Sequence, residues 1–374
     1  MLTGTQKVAA PHLQLAELIW EEIVAQDYRP GDQLPSQQVL ATKYRTSLIT
    51  VKRALSVLKE EGLIYGEPGK GIYVNPPVNV FPGGFAAEVT IGLFLDPPLS
   101  PFFSGIASGV VHAVSEWGWS LAFANDLPGG PGEWNLEYLC QKGGAKGFVV
   151  GVRDGSGRTA EAVSTLRSQG CPIVMVSYTD DPELNYVGVD HVRGAYLAAT
   201  HLVELGYESI CYVTPEPTNP LSALRYQGFL QACEEAGLEG KLLAPEPDES
   251  LPANRYRSGY ELGLRLVESG EFPEACFAFT DLVALGLMRA LRENAVEVPQ
   301  EVAVVGFDDI ALAELAVVPL TTVRQPLKEI GYTAVDVLRR KLRGEDRVIR
   351  VLLEPELVVR ESCGAPLRRK RKVC

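Results

Sequence analysis

Residues 34–74, LPSQQVLATKYRTSLITVKRALSVLKEEGLIYGEPGKGIYV, hold two helix-opening hydroxyls, two adjacent cations and a Pro-Gly-Lys-Gly turn in one short run. Ser36 is placed to cap a helix over QQVLATKY. Beyond Arg45-Thr46, Ser47 is placed to cap a second helix that runs to about Glu61 and stops at Gly62. Val51, Leu55 and Leu58 recur at helical spacing and form an inward stripe. LIYGEPGKGIYV then gives two β-prone runs around a tight turn, which is a hairpin signal. Upstream, Leu15, Leu18, Ile19 and Ile23 mark another helix, stopped by Pro30-Gly31. Three helices and a hairpin make a compact unit over residues 1–77.

A helix-turn-helix lays its second helix in the major groove, with the first turn against the bases. Ser47, Leu48, Ile49 and Thr50 fall in that turn. Lys52 and Arg53 follow one turn later, within reach of backbone phosphate or guanine. Lys70 and Gly71 at the hairpin tip are placed to meet backbone or minor groove. An ordinary solvated helix with surface cations is the competing reading of SLITVKRAL taken alone.

The chain has 374 residues and a net charge of -12. Acids and bases balance over residues 1–77; the excess of acid lies in the body, and residues 365–374, with the run PLRRKRKVC, form a basic tail. A neutral head can still meet an anion, because the field on one face matters more than the sum. Seven scattered cysteines, with no CxxC pair, and only four histidines predict reduced thiols and neither a metal nor a cofactor. No apolar run approaches membrane-spanning length and the N-terminus lacks a signal-peptide pattern, so the expectation is a cytoplasmic protein without membrane contact.

Residues 78–88 are rich in proline and glycine and are expected to be a linker. From residue 89 to 364 the pattern changes. Continuous apolar runs (VTIGLFL, SLAFAN, GFVVGV, PIVMVS, SICYVT, CFAFT, VAVVGF) alternate with amphipathic stretches, as buried parallel strands and covering helices do. The length favours two lobes. The predicted fold class is α/β, with an N-terminal winged helix-turn-helix and a two-lobed body. The loop after VTIGLFL ends a strand and should face a ligand. Its Phe102 and Phe103 either stack on that ligand or fill a core.

Residues 34–74 closely resemble the GntR-type winged helix-turn-helix: Leu-Pro-Ser, a helix, Ser-x-x-Thr-Val-x-Arg-Ala-Leu, Gly-Leu-Ile and a Gly-x-Gly wing. That resemblance implies DNA contacts from Ser36, Gln38 and the residues already named. Gln38 and Leu48 stand where the family commonly has arginines and Lys52 replaces a third, so the usual base preference does not carry over. NYVGVDHVRGAYLAATHLVELGYESICYV and VPQEVAVVGFDDIALAELAVVPLTTVRQP resemble the LacI family and its parent fold, the type I periplasmic binding proteins. Regulators of the arabinose-repressor kind join the two. The resemblance implies two similar lobes, three crossovers and a small effector between them. It puts Phe102, Phe103, Arg225 and Asp308 at effector positions, with Thr280 and Ser177 at positions where the family has other polar residues. Asp190 either meets ligand or caps the helix after it; Asp281 and Asp309 are expected as caps.

The expected function is thus a ligand-responsive transcriptional regulator, a repressor that binds double-stranded operator DNA as a homodimer and takes a sugar or related metabolite as effector. A transport binding protein would fit the body alone but not the head. An enzyme would need a triad, phosphate loop or metal cluster, and the sequence offers none in recognisable form.

Overall fold

The computed structural model describes residues 12, 15, 16, 19, 32–60, 64–67, 70–74, 89–96, 100–123, 139, 144–152, 157–246, 251 and 254–365. Most of the expected first helix, Gly62, the linker and the basic tail lie outside these residues.

The head builds from α1 (Gln37–Lys43), α2 (Leu48–Glu60) and a hairpin of β1 (Ile64–Glu67) and β2 (Gly71–Val74). Ser36 caps α1 by accepting from the Val39 amide at 3.4 Å. Ser47 accepts from the Thr50 amide at 3.1 Å and so opens α2. The stripe buries as expected: Val51, Leu55 and Leu58 are at most 4% exposed and share one cluster with Ala54, Leu40, Ile64 and Val74. β1 and β2 pair antiparallel, and the Tyr65 and Tyr73 rings stack across them at 5.4 Å. Gly71 sits at φ 145°, where a side chain is disfavoured, and a Cβ there would run into Gln33. The Gln33 amide in turn donates to the Lys70 carbonyl at 2.8 Å and holds the turn end of the hairpin.

The body holds two six-stranded sheets. Its elements are β3 (Thr90–Asp96), α3 (Pro101–Glu116), β4 (Ser120–Phe123), β5 (Ala145–Val152), α4 (Gly157–Ser168), β6 (Ile173–Val176), β7 (Asn185–Val189) and α5 (His191–Glu204). They continue with β8 (Ile210–Val213), α6 (Pro220–Glu235), β9 (Lys241–Leu243), α7 (Arg255–Ser269), β10 (Ala275–Ala278), α8 (Asp281–Glu293), β11 (Ala303–Asp308) and α9 (Ala311–Leu315). β12 (Thr321–Arg324), α10 (Leu327–Leu342), β13 (Arg350–Leu353) and β14 (Glu356–Val358) complete the set. One sheet has the order β13-β7-β6-β5-β3-β4, the other β14-β12-β11-β10-β8-β9. The chain passes from one sheet to the other three times, before β8, before β13 and before β14.

Strands β8, β10 and β11 are buried along their whole length, which is why they read as unbroken apolar runs. All pair in parallel, and β14 alone in that sheet runs antiparallel, against β12. The strands β7, β9, β12, β13 and β14 were not among the apolar runs. Short or edge strands carry mixed residues, and β12 buries threonines instead.

Contacts divide the chain into two units, Met1–Leu95, Val114–Phe148 and Glu161–Pro172 on one side and Asp96–Ala113, Val149–Ala160 and Ile173–Cys374 on the other. In the second unit, α7 and α8 approach closely because Gly286 has no side chain; a Cβ there would run into the Tyr256 carbonyl. That approach sets the start of α7 near the start of α8, where two cavity residues stand.

Candidate effector cavity and nucleic-acid face

Strand β10 ends at Ala278, and Phe279 and Thr280 follow at its carboxyl end; β11 ends on Asp308. The carboxyl ends of parallel strands are where an α/β sheet offers a crevice. A cavity of about 320 Å³ lies there, lined by Ser100, Phe102, Phe103, Ser177, Arg225, Asn254, Arg255, Phe279, Thr280 and Asp308 with Pro101, Leu221, Leu282 and Ile310. Its volume is at the small end for ligand pockets. Every one of these residues belongs to the second unit.

Arg225 is the centre of the cavity wall. It sits on α6 and is 2% exposed, not the surface arginine its helical setting alone would give. Its guanidinium carbon lies 3.7 Å from the Phe307 ring centroid and 4.9 Å from that of Phe279. One nitrogen donates to the Phe279 carbonyl; the other lies 3.6 Å from Asp308 Oδ1 and 3.4 Å from His191 Nδ1. Two aromatic faces and three polar partners hold the fork in one plane, and the cation is desolvated without being unpaired. Burial, then Arg225, pushes the His191 pKa down to about 3, so this ring is neutral.

Asp308 accepts from the Gln325 side-chain amide at 2.8 Å. Burial pushes its carboxyl up, while Arg225 and then Arg255 pull it back. Its backbone is at φ 127°, and Ser177 is at φ 82°. Both are in a region that non-glycine residues rarely enter, and both line the cavity. Such conformations gather at functional sites because the fold must hold them there.

Thr280 caps α8, accepting from the Val283 amide at 3.4 Å. Phe102 and Phe103 meet edge to face at 5.2 Å. They lie on the first turn of α3 rather than on the expected loop, because Ser100 stands before the helix and accepts from the Phe103 amide at 3.1 Å. Phe103 is fully buried and Phe102 half-buried, so one supports and the other faces the cavity. Asp190 is exposed, is not among the lining residues, and caps α5 by accepting from the Arg193 amide at 2.9 Å. Of its two readings, capping is the one this geometry carries.

Two expectations need correction. Asp281 is not a cap: Thr280 takes that place. Asp281 is fully buried and accepts from the Ile310 amide at 2.9 Å and from the Thr322 hydroxyl at 2.5 Å, tying α8 to β12 and to the turn after Asp308. Asp309 does not cap α9, whose N-cap is Ile310; it pairs with Arg324 and Arg360, both at 2.7 Å.

Sequence reasoning missed Asn254 and Arg255. Asn254 caps α7, accepting from the Tyr256 and Arg257 amides at 3.0 and 3.2 Å. Arg255 holds Glu216 in a bidentate pair, 2.7 Å at each nitrogen, and lies 4.8 Å from the Phe279 centroid. An asparagine-arginine pair opening an amphipathic helix was the available signal.

Burial, then the neighbouring Asp308 charge, pushes the Asp281 pKa up to about 8. The folded state therefore keeps a proton that the unfolded chain gives up above a pH of about 4. Its contribution is complete below that pH and is lost as pH rises through the raised value. His191 works the other way: it contributes above its unfolded value of about 6.5 and loses that share as pH falls. Above about pH 6.5 the histidine is flat. Wild-type stability is expected to decline from pH 6.5 to 8.5, and Asp281→Asn to flatten that decline, as read by urea unfolding at each pH. An unchanged slope in the variant would show that Asp281 is not the titrating group.

In the head, Ser36, Gln38, Ser47, Leu48, Ile49, Lys52, Arg53 and Lys70 are exposed; Thr50 and Gly71 are half-buried. The Ser47 and Thr50 hydroxyls bond each other at 2.9 Å. One face of α2 thus presents residues 48, 49, 52 and 53 together, and the fold buries none of them.

The comparisons agree with this division of labour. Residues 11–74 match the bacterial regulatory proteins of the gntR family, and residues 199–363 match the periplasmic binding protein-like domain. The HTH-type transcriptional regulator DegA of Bacillus subtilis is 36% identical over 220 residues, 58% of this chain and 62% of that protein. The chain therefore spans about three fifths of that relative's length. The arabinose metabolism transcriptional repressor of Geobacillus stearothermophilus is 26% identical over 96% of this chain and 98% of its own. A LacI family transcriptional regulator from Enterococcus faecium, solved with bound ribose, superposes with a TM-score of 0.62 at 25% identity, covering 73% of this chain and 98% of its own. A head that matches the gntR family and a body that matches the periplasmic binding protein-like domain occur here in one chain, and this protein belongs to that family of bacterial transcription regulators.

Proposed function

We propose that the protein is a repressor that binds operator DNA through the face of α2 and the β1–β2 wing, and releases or tightens that grip when a monosaccharide-sized ligand fills the cavity. The observation that carries this is the convergence of Arg225, Asp308, Thr280, Ser177 and Phe102 on one small cavity. A guanidinium donor, a carboxylate acceptor, two hydroxyls and an aromatic face complement a polyol that has one apolar side. The relatives named above act on DNA and, in one solved case, hold ribose. Residues 1–77 serve as the reader, 78–88 as the linker and 89–364 as the effector domain. An operator-binding protein works in the cytoplasm, and no helix among the described residues is long and apolar enough to cross a membrane.

The test is a thermal-shift screen against pentoses, hexoses, sugar acids and nucleosides, because binding to the native state raises stability by mass action. A shift of several degrees with one sugar class is the expected result. No shift with any sugar, and one with another class, would replace the sugar reading.

A homodimer is part of the same proposal. Leu312, Leu315 and Val317 are 47%, 78% and 79% exposed and border a groove of about 770 Å³. Exposed apolar clusters of this kind mark interaction surfaces, and a twofold pairing would present two α2 helices to a palindromic site. Leu315→Glu is expected to shift the sedimentation coefficient to that of a monomer; wild-type protein that sediments as a monomer at micromolar concentration would contradict the proposal.

A further inference from the structure

The exposed face of α2 is graded along its length. Leu48 and Ile49 on the first turn are 44% and 67% exposed, and Lys52 and Arg53 one turn on are exposed as well. Ser56 and Lys59 continue the same face, while Val51, Ala54, Leu55 and Leu58 turn into the core. Branched aliphatic side chains therefore occupy the place where a groove-reading helix meets base edges, and cations occupy the place where it meets phosphate. The polar atoms of the first turn are partly committed: the Ser47 and Thr50 hydroxyls bond each other, and Ser47 takes the Thr50 amide. The side chains of residues 48 and 49, which project from that turn, are apolar.

The most prominent apolar group on the base edges of the major groove is the C5 methyl of thymine. We propose that Leu48 and Ile49 read thymine methyl groups, so that operator specificity rests on methyl contact at these positions rather than on a bidentate arginine to guanine. The inference rests on the operator-binding reading above. A protein partner on the same face is the weaker occupant, because it would also cover Lys52 and Arg53 and strip them of water without a counter-charge. A duplex supplies that counter-charge as phosphate. Both apolar side chains project from the surface, so replacing them leaves the head's core intact.

The experiment uses the full-length protein and proceeds in two steps. Duplexes that it retains at moderate salt are first selected from a randomised library. Each thymine of the selected half-site is then replaced by deoxyuridine, which lacks only the methyl group, and affinities are compared by fluorescence anisotropy. The expected result is that the selected half-sites carry thymine at one or two fixed positions. Losing each contacted methyl should weaken binding about fourfold, the worth of one buried methyl group. Leu48→Ala with Ile49→Ala should bind thymine and deoxyuridine duplexes alike, whereas Lys52→Ala should weaken both equally and keep their ratio. Tight binding to selected duplexes with no thymine–deoxyuridine difference at any position overturns the inference and leaves operator binding standing. Ile49→Ala that keeps full DNA affinity but changes the sedimentation of the protein also overturns it, in favour of a protein contact. A library that yields no retained duplex removes the operator reading and this inference together.

Discussion

Arg225→Ala is expected to abolish the ligand-induced thermal shift and to lower the stability of the unliganded protein as well. Both effects follow from one geometry. The guanidinium is 2% exposed, packs on the Phe307 ring and lies 3.6 Å from Asp308. Removing it leaves Asp308 buried without its counter-charge, and breaking such a pair costs about 3–5 kcal/mol. In a chain of this size that lowers Tm by several degrees. Arg225→Lys is expected to recover part of the stability and none of the ligand response, since an ammonium keeps the charge but neither the planar fork nor the stacking. Asp308→Asn keeps the volume and a partner for Gln325 but takes the carboxylate from the buried Arg225, so it too should lose stability while ligand affinity falls about tenfold or more. A full ligand shift in both Arg225→Ala and Asp308→Asn would place the effector elsewhere. Calorimetric titration with the screened sugar gives the affinities directly.

The second large effect is expected at the opposite end of the chain. Lys52→Ala with Arg53→Ala should reduce the dependence of operator binding on salt by about two units in the log–log slope and weaken binding about a hundredfold near physiological ionic strength. Both side chains are exposed and lie outside the core cluster of the head, so thermal stability should stay within about 0.5 kcal/mol of wild type. The protein carries a net charge of -12, and the bulk of the chain therefore repels phosphate. Against that background two cations on one helix face carry a large share of the attraction. An unchanged salt slope in the double variant would mean that α2 does not lie along the duplex.

How much of this was legible beforehand depends on which interactions are local. Ser36 and Ser47 were readable as caps because a hydroxyl bonds an amide three residues on, a contact the sequence itself spaces. Strands β8, β10 and β11 were readable because burial on both faces leaves an unbroken apolar run. Strand β12 was not: Thr321 and Thr322 are buried only because the Arg360 amide donates to the Thr321 hydroxyl and the Thr322 hydroxyl donates to Asp281, both about 40 residues away. Strand β13 is an edge strand with alternating exposure, and its Arg350 reaches the Asp181 and Leu184 carbonyls across the fold. Nothing near it in sequence announces that.

The cavity shows the same division. Arg225, Asp308, Thr280, Ser177, Phe102 and Phe103 were named from a family resemblance, and all six line one space. Their types alone would not have gathered them, because Arg225 sits on an amphipathic helix and looks solvated until Phe279 and Phe307 close over it. Asp281 was misassigned for a related reason. A carboxylate at a helix start is ordinarily a cap, and only the return of residue 322 to its side makes it a buried tie. Arg255 went unnoticed because its partner Glu216 lies 39 residues away.

Everything turns on whether filling the cavity changes the grip on DNA. Coupling between two sites is a free energy and works in both directions. The direct measurement is the affinity of the full-length protein for its selected duplex, by fluorescence anisotropy, with and without a saturating concentration of the sugar found in the thermal screen. The expected result is a change of about 5- to 150-fold, with the same factor appearing when sugar affinity is measured with and without DNA. Equal DNA affinity in the presence and absence of a sugar that demonstrably fills the cavity would contradict the proposal that this cavity governs the reader.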